Sequence, residues 1–459
     1  MVVVGVLSAA WALLALPARA TYGARTAADE PQYLLSALSL WDDHDLDISD
    51  ELREERWRDF HEAEVPEQTR PLADGRRVSP HDPLLPALLA VPVGLAGWVG
   101  AKATLAAMAG VLAGLLVWTA NRRLAVPVRT ASVVVLAASL SAPFAAYGSQ
   151  VYPELPAALA VTTAFAALTG PLDRRGRITF VVAVVALPWL SVKYVPVVLA
   201  LTACGLWRLH RRGETGAALR VAGWLLAAGL GYVVAHRLLY GGWTVYAAGD
   251  HFVGGELTVA GTDPNYLGRS RRLLGLFVDR GFGLAAWAPV WLLVVPGVAA
   301  LTRHRPPGWA PLVGALAAGW ATATWIALTM HGWWWPGRQV VVVLPLAVLT
   351  IAWLTALRPA LARAVAVLGA IGATTWVWLV VEVLTLRLRL IIDFEETTNP
   401  LVRAWHVVLP DLRTPTPGDW LLVALWLAAF AFVAGAGWRA AAPPSLDHQP
   451  ERIPAHAHT

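Results

Sequence analysis

Apolar residues gather into eleven long runs along the chain, separated by shorter polar stretches. About 20 consecutive apolar residues cross the hydrocarbon core of a bilayer as an α-helix. The run 84–120 is interrupted around Lys102 and predicts a surface piece followed by one crossing, whereas 178–209 is broken near Lys193 and predicts two short helices. The pattern therefore predicts an all-α, polytopic membrane bundle of roughly 11–13 transmembrane helices, with short juxtamembrane helices in the outer loops. The runs lie near 2–18, 84–120, 128–146, 154–171, 178–209, 219–240, 283–301, 309–330, 338–357, 364–386 and 419–438.

The composition agrees with a membrane protein and excludes an ordinary soluble domain. Of the 459 residues, 57% are hydrophobic and only 15% are charged, whereas soluble domains carry about 25% charged residues. The net charge of +5 comes largely from Arg clusters between apolar runs, so it indicates membrane topology rather than nucleic-acid binding. The single cysteine, Cys204, excludes an internal disulfide framework.

The basic clusters also predict which side of the membrane each loop occupies. Placing most Arg residues in the cytoplasm, as the positive-inside rule requires, leaves three sizeable segments outside: 19–83, 241–282 and 387–418. We therefore expect one transmembrane domain over 1–440, in the plasma membrane, with its active site facing outside. The Pro-rich segment 441–459 predicts a disordered cytoplasmic tail. No basic residues precede the first run, so we expect a retained helix rather than a cleaved signal peptide.

Several cations break the topology rule by falling on the outer side, where an anionic headgroup or a lipid phosphate would explain them. Loop solubility is the alternative explanation for any one of them. We select Lys193, Arg338, Arg271 and Arg272 as candidate ligands of a phosphate. The complete set is Lys193, Arg269, Arg271, Arg272, Arg280, Arg338, Arg387 and Arg389.

Acidic residues close to hydrocarbon are the second candidate group, because a carboxylate there is costly and is usually functional. Asp29 and Glu30 follow the first apolar run, with Tyr33 shortly after, and Glu154 opens a later helix. The helix dipole alone can account for Glu154. We nevertheless expect Glu154 to point towards the same face as Asp29.

Two further patterns in the first outer segment each allow a functional and a structural interpretation. His81 and Asp82 lie between prolines before the second run, where they can face a substrate or simply start a helix. The alternating acids of 43–47, followed by Glu54, resemble a calcium loop, but Ile48 stands where that loop needs Gly. A solvated acidic loop is the favoured interpretation, so we assign no metal ligand and leave a divalent cation open.

Taken together, these short motifs resemble those of GT-C type membrane glycosyltransferases, in the branch of the protein O-mannosyltransferases and lipid A aminoarabinose transferases. The resemblance covers most of the chain as topology. The matching segments are 29–33, 81–84, 152–154, 282–290 and 333–338.

The resemblance implies a polyprenyl-phosphate-linked sugar donor and a glycan, lipid or protein acceptor approached from outside the membrane. It makes Asp29 the catalytic residue, Glu30 its support and Glu154 a second acid of the site. His81 stands where aminoarabinose transferases have a lysine before two prolines, and Asp82 replaces the first proline. That departure favours Lys193 and Arg338 as the phosphate ligands.

The predicted reaction is an inverting displacement in which Asp29 takes the proton of the acceptor hydroxyl. The transferred sugar is a hexose or a pentose, and the chemistry needs no nucleotide or redox cofactor. The alternative function is a membrane transporter or flippase of a lipid-linked or anionic substrate, which would also carry broken helices and buried charges. A non-catalytic envelope scaffold is the third hypothesis.

Overall fold

The computed structural model describes residues 1–252 and 254–440. This part of the chain is α-helical and contains isolated β-bridges but no strand, which confirms the all-α prediction. The predicted tail 441–459 lies outside the described residues. The first helices are α1 (Val2–Leu13), α2 (Glu30–Asp42), α3 (Ser49–Arg53), α4 (Leu84–Leu124), α5 (Val128–Ser139), α6 (Phe144–Tyr147), α7 (Glu154–Leu168), α8 (Arg174–Leu190), α9 (Val195–Arg211) and α10 (Thr215–Tyr240). The remainder are α11 (Tyr266–Arg269), α12 (Arg272–Val278), α13 (Leu284–Trp287), α14 (Val294–His304), α15 (Trp309–Ala321), α16 (Leu344–Leu357), α17 (Leu361–Leu384), α18 (Pro400–His406) and α19 (Pro417–Trp438).

Every predicted apolar run contains helix, and the exposure of these helices indicates which of them face hydrocarbon. Helix α16 is buried from Leu344 to Thr355, whereas α19 exposes apolar side chains such as Phe432 around most of its surface. An apolar helix that is exposed all round is stable only in a lipid environment. Among the described residues, six segments are long and apolar enough to cross a membrane: Leu84–Leu124, Val192–Arg211, Thr215–Ala248, Arg338–Leu357, Leu361–Leu384 and Pro417–Trp438. The number of crossings and their sidedness remain predictions.

Both interrupted runs are broken in the structure. Helix α4 bends at Ala96 and Gly97, and Gly97 has a φ of +57° that glycine adopts without strain. The break therefore lies before Lys102, which is itself buried in the second half of the helix and donates to the carbonyl of Arg25 at 2.8 Å. The run 178–209 divides into α8 and α9 as predicted, with a 3₁₀ turn over Val192–Tyr194 between them.

Close approach of helices depends on glycine at several crossings. A Cβ atom on Gly5 of α1 would lie 2.8 Å from the carbonyl oxygen of Gly110 in α4. A Cβ atom on Gly437 of α19 would lie 2.3 Å from the carbonyl oxygen of Pro296 in α14. Small residues at these points let the backbones touch, which is the usual basis of helix association in membranes.

The three segments predicted to lie outside are structured by short helices. Segment 19–83 contains α2 and α3, segment 241–282 contains α11 and α12, and segment 387–418 contains α18. Helix α2 is largely buried, with Leu34 and Leu35 fully enclosed, and it packs along α4. This packing fixes the position of the residues that open α2, Asp29 and Glu30.

Candidate active site

Asp29 is the residue directly before α2, and its carboxylate pairs with an arginine that is far away in sequence. Arg338 Nη2 donates to Asp29 Oδ2 at 2.6 Å, and His81 Nε2 lies 3.7 Å from the same oxygen. The side chain of Asp29 is 24% exposed, which makes it the most accessible carboxylate in this group. Three segments far apart in sequence therefore meet at one carboxylate.

Arg338 opens a 3₁₀ helix over Arg338–Val343, directly after Gly337, whose φ of +84° is in the left-handed region. Its guanidinium is buried and also donates from Nε to Glu154 Oε1 at 3.0 Å. It stacks on the ring of Tyr152 at 4.1 Å and on Trp334 at 5.1 Å from the ring centroids. Carboxylates on two sides and aromatic faces on two more hold this cation in a single orientation.

Glu154 connects Arg338 to the second cation of the site. Lys193, in the turn between α8 and α9, donates from Nζ to Glu154 Oε1 at 2.7 Å. Glu154 is fully buried, and its Oε2 atom has no hydrogen-bond partner. Asp29, Arg338, Glu154 and Lys193 thus form a row of alternating charges with a net charge of zero. The structure brings these four predicted site residues together.

Two cavities meet at this charged row. The polar cavity, of about 200 Å³, is lined on one side by Tyr33, Gln68, His81 and Ser191. The apolar cavity, of about 260 Å³, extends between α9, α15 and the 3₁₀ helix of Arg338, past Val197, Gly319 and Val342. The residues that line both are Asp29, Lys193, Tyr246, Phe252 and Arg338.

His81 and Tyr33 form the wall of the polar cavity next to Asp29. Their ring centroids are 4.5 Å apart, and His81 Nδ1 is hydrogen-bonded to Ser79 Oγ at 2.8 Å. Both side chains are therefore held in place beside the carboxylate. Both line the same cavity as Asp29, and their contact with substrate stays a prediction.

Asp82 also lines the polar cavity, but its carboxylate is already engaged, contrary to the prediction of a substrate contact. It accepts from the backbone N–H of Val192 at 2.9 Å and from the Tyr232 hydroxyl at 2.8 Å. His236 Nε2 lies 3.0 Å from the same carboxylate. Asp82 is 3% exposed, and its contacts join the segment of His81 to the turn of Lys193 and to α10.

The Glu30 carboxylate is likewise engaged, here by backbone groups. Its side chain is fully buried and accepts from the backbone N–H groups of Val151 at 2.7 Å and Ala27 at 2.8 Å. Burial raises the pKa of its carboxyl above the usual value. Glu30 therefore ties the segment of Asp29 to the segment that leads into Glu154, and it does not line either cavity.

Arg271 and Arg272 are not brought to the site. Arg271 is exposed, and neither residue lines the two cavities. Arg272 instead donates to the carbonyl oxygens of Ala327 at 2.7 Å and Leu328 at 3.1 Å. The prediction that these arginines bind a lipid phosphate has no support in the geometry, because backbone carbonyls already occupy the Arg272 guanidinium.

The calcium-loop pattern of 43–54 is also not the arrangement that the chain adopts. The Asp45 carboxylate accepts from Ser39 Oγ and from the backbone N–H of Asp47. The Asp47 carboxylate accepts from the backbone N–H groups of Ser49 and Arg77. These two carboxylates shape the loop and do not converge on a common point.

The charges around Asp29 decide its protonation. Burial by itself would raise the pKa of the Asp29 carboxyl, but the Arg338 guanidinium and His81 outweigh burial and hold the pKa well below its usual value near 3.8. Burial, with Asp29 and Glu154 nearby, raises the pKa of the Tyr33 hydroxyl well above 10. At neutral pH the site therefore contains an ionised Asp29 beside a neutral Tyr33.

Sequence reasoning missed several residues that complete the site. Tyr152 stacks on Arg338, and Tyr194 and Trp334 line the apolar cavity. Tyr246 and Phe252, from segment 241–282, line both cavities. A signal existed for Trp334, which is the middle of three successive tryptophans, and for Tyr194, which follows Lys193. Tyr246 and Phe252 stand in no distinctive pattern.

Comparison with known proteins identifies the class of fold. No known sequence family and no curated protein matches the chain. The fold is nevertheless that of a polytopic helical membrane protein. It is similar to the crystal structure of ArnT from Cupriavidus metallidurans bound to undecaprenyl phosphate, with a TM-score of 0.52 and 13% identity over 96% of this chain and 77% of that one. An oligosaccharyltransferase from Archaeoglobus fulgidus in the apo form aligns with a TM-score of 0.41 and 11% identity, over 98% of this chain and 61% of that one.

Proposed function

We propose that this chain is a glycosyltransferase that moves a sugar from a polyprenyl-phosphate donor to an acceptor outside the cytoplasm. The GT-C fold supports this proposal at the level of architecture. The observation that carries it is the position of Asp29 with Lys193 and Arg338, on the wall shared by a polar and an apolar cavity. A lipid-linked sugar phosphate needs an apolar channel, a cationic site and an open polar space in this order.

The apolar cavity suits the phosphate end of the donor. Lys193 and Arg338 line it, and so do two donors without a hydrogen-bond partner, the Tyr194 hydroxyl and Trp334 Nε1. A buried donor that has no partner costs free energy unless a ligand or water accepts from it. Phosphate oxygens accept well from such donors and most strongly from cations. The polyprenyl tail would then leave the cavity between α9 and α15.

The polar cavity would hold the acceptor, with its hydroxyl facing Asp29. Asp29 takes the hydroxyl proton as the acceptor oxygen forms a bond to the anomeric carbon. The bond from that carbon to the phosphate oxygen breaks at the same time, and the polyprenyl phosphate leaves with the electron pair. Lys193 and Arg338 stabilise the charge that develops on the leaving oxygen. This single displacement inverts the anomeric configuration.

The resting ion pair makes the reaction depend on donor binding. Asp29 is a weak base while Arg338 donates to it, because the paired carboxylate has a lowered pKa. A donor phosphate competes for the same guanidinium. Its arrival weakens the pair with Asp29 and makes this carboxylate a stronger base. The donor thus activates the base that deprotonates the acceptor.

The test is turnover of labelled polyprenyl-phosphate sugars by the purified full-length protein in lipid nanodiscs. We expect transfer or release of one sugar by the wild type, and a fall of roughly 10²- to 10⁴-fold in Asp29→Asn. The matched control is Asp74→Asn, in the same outer segment, because Asp74 is exposed and pairs with Arg76 at 2.8 Å on the surface. Thermal unfolding of each variant separates loss of chemistry from loss of folding.

The outcomes of this experiment are distinct. Turnover that is lost in Asp29→Asn and kept in Asp74→Asn supports the transferase and identifies its donor. Equal turnover in all three proteins removes Asp29 as the base. The absence of turnover with any donor overturns the proposal and directs attention to transport of a lipid-linked substrate, which flux into proteoliposomes would measure.

A further inference from the structure

A cluster of three carboxylates lies at the junction of α2 and α3, away from the two cavities. Asp43 directly follows α2, and Asp50 and Glu51 lie in the first turn of α3. One carboxylate oxygen from each residue lies within 4.8 Å of the others. This grouping differs from the one that the sequence pattern indicates, since Asp45, Asp47 and Glu54 are not part of it.

Glu51 is the unusual member of this cluster. Its side chain is 2% exposed, and its Oε2 atom is buried without a hydrogen-bond partner. A buried carboxylate oxygen without a partner costs free energy unless a counter-charge or a proton compensates it. The two carboxylates next to it increase that cost, because like charges repel one another.

The neighbouring cations do not form ion pairs with these three carboxylates in the described part of the chain. Arg56, which follows α3 in the chain, pairs instead with Asp42 at 3.0 Å. The junction also receives the carbonyl end of α2, where the helix dipole attracts a positive charge.

The ligand atoms indicate which ion would fit. All three are carboxylate oxygens, which suit hard cations such as calcium and magnesium rather than zinc or copper. Two oxygens that bind one calcium ion at about 2.3–2.6 Å can be at most about 5 Å apart, whereas magnesium at about 2.1 Å allows about 4.2 Å. The three oxygens lie within 4.8 Å of one another, a spacing that suits calcium better than the smaller magnesium ion. Asp43 is exposed, so water can complete the coordination shell.

We propose that Asp43, Asp50 and Glu51 bind one divalent cation, calcium in preference to magnesium, which fastens the end of α2 to the start of α3. Helix α2 begins at Asp29 and carries Tyr33 of the polar cavity. The cation therefore stabilises the outer segment that supports the candidate active site. This site does not depend on the proposed transferase activity.

The test is equilibrium binding of radioactive calcium to the full-length protein in nanodiscs, after chelator treatment and at constant ionic strength. We expect one ion per chain with a Kd on the order of 10⁻⁴–10⁻³ M, and weaker competition by magnesium. The unfolding temperature should rise with calcium. Nanodiscs without protein measure the calcium that the lipid binds.

Two substitutions decide the assignment. Glu51→Gln keeps the shape of the side chain and removes the uncompensated charge, so the metal-free variant should unfold at the same temperature as wild type or higher. Its calcium affinity should fall roughly tenfold or more. Glu54→Gln is the matched control, because Glu54 belongs to the sequence pattern but lies outside the cluster.

Each remaining outcome overturns the proposal. If wild type binds no calcium at about ten times the expected Kd, Glu51 is compensated by a proton instead. If Glu51→Gln binds as wild type does, or if Glu54→Gln loses as much affinity, the ion lies elsewhere. Neither the calcium-binding measurement nor the unfolding measurement requires turnover, so both are independent of the test of the transferase.

Discussion

The ion pair between Asp29 and Arg338 leads to a prediction that separates a base from a binding residue. Asp29→Asn removes the charge that competes with a donor phosphate for the Arg338 guanidinium. The variant should therefore bind a polyprenyl phosphate more tightly than wild type, although its turnover is lower. A residue that contacts the phosphate as a ligand would show the opposite change in affinity when it is substituted.

The size of the effect follows from the contact that is lost. A hydrogen bond between charged groups contributes about 1.5–3 kcal/mol. Asp29 is 24% exposed, and Arg338 keeps its bond to Glu154, so the lower end of that range applies because solvent screens the pair. About 1.4 kcal/mol corresponds to a factor of roughly ten. We expect the Kd for the lipid phosphate to fall about tenfold.

The assay is binding of labelled undecaprenyl phosphate, which carries no sugar and so cannot turn over, to the protein in nanodiscs. Asp74→Asn serves again as the control and should bind as wild type does, because solvent screens its surface ion pair and Asp74 lines neither cavity. Weaker binding by Asp29→Asn would refute the competition between carboxylate and phosphate. Unchanged binding would show that the lipid phosphate does not use Arg338.

Three further predictions test other parts of the structure. Arg338→Gln removes the main cation that lowers the pKa of Asp29, so this pKa should rise. The residual activity of the variant should therefore decline in acid below about pH 5, whereas wild type shows no such decline down to about pH 4. Profiles of kcat/KM against pH measure the two proteins. Glu30→Gln should lower the free energy of unfolding by about 1–3 kcal/mol, because the amide NH₂ of the glutamine must face one of two backbone N–H donors. Thermal unfolding measures the loss, and equal stability would contradict the assigned contacts. Gly437→Ala should cost about 1–3 kcal/mol through a clash with the backbone of α14, while Gly435→Ala, whose Cβ has a side-chain neighbour only at 3.8 Å, should leave the unfolding temperature unchanged.

The fold was predictable from the sequence because apolar runs and their interruptions are local signals. The break between α8 and α9 follows from prolines within the run, and it places Lys193 in a turn. The bend of α4 was predicted at a charged residue but occurs at Gly97. Lys102 reaches a backbone carbonyl and is tolerated inside the helix, so the charge marked a buried contact rather than an interruption.

The candidate site was predictable only in part, because sequence shows which residues are unusual but not which of them meet. Asp29, Glu154, Lys193 and Arg338 are conspicuous charges near hydrocarbon, and they converge. Asp82 is equally conspicuous, yet donors from two other segments engage its carboxylate. Such long-range hydrogen bonds leave no local pattern.

The row of alternating charges also has a consequence for how the protein is made. Lys193 follows Glu154 by 39 residues, so this pair can form soon after both segments have left the ribosome. Arg338 follows Glu154 by 184 residues and Asp29 by 309. Until Arg338 arrives, the growing chain contains one more site carboxylate than site cation. Insertion of the segment that begins at Arg338, which is followed by α17 and α19, therefore neutralises the site. A chain truncated before Arg338 lacks the guanidinium that pairs with Asp29.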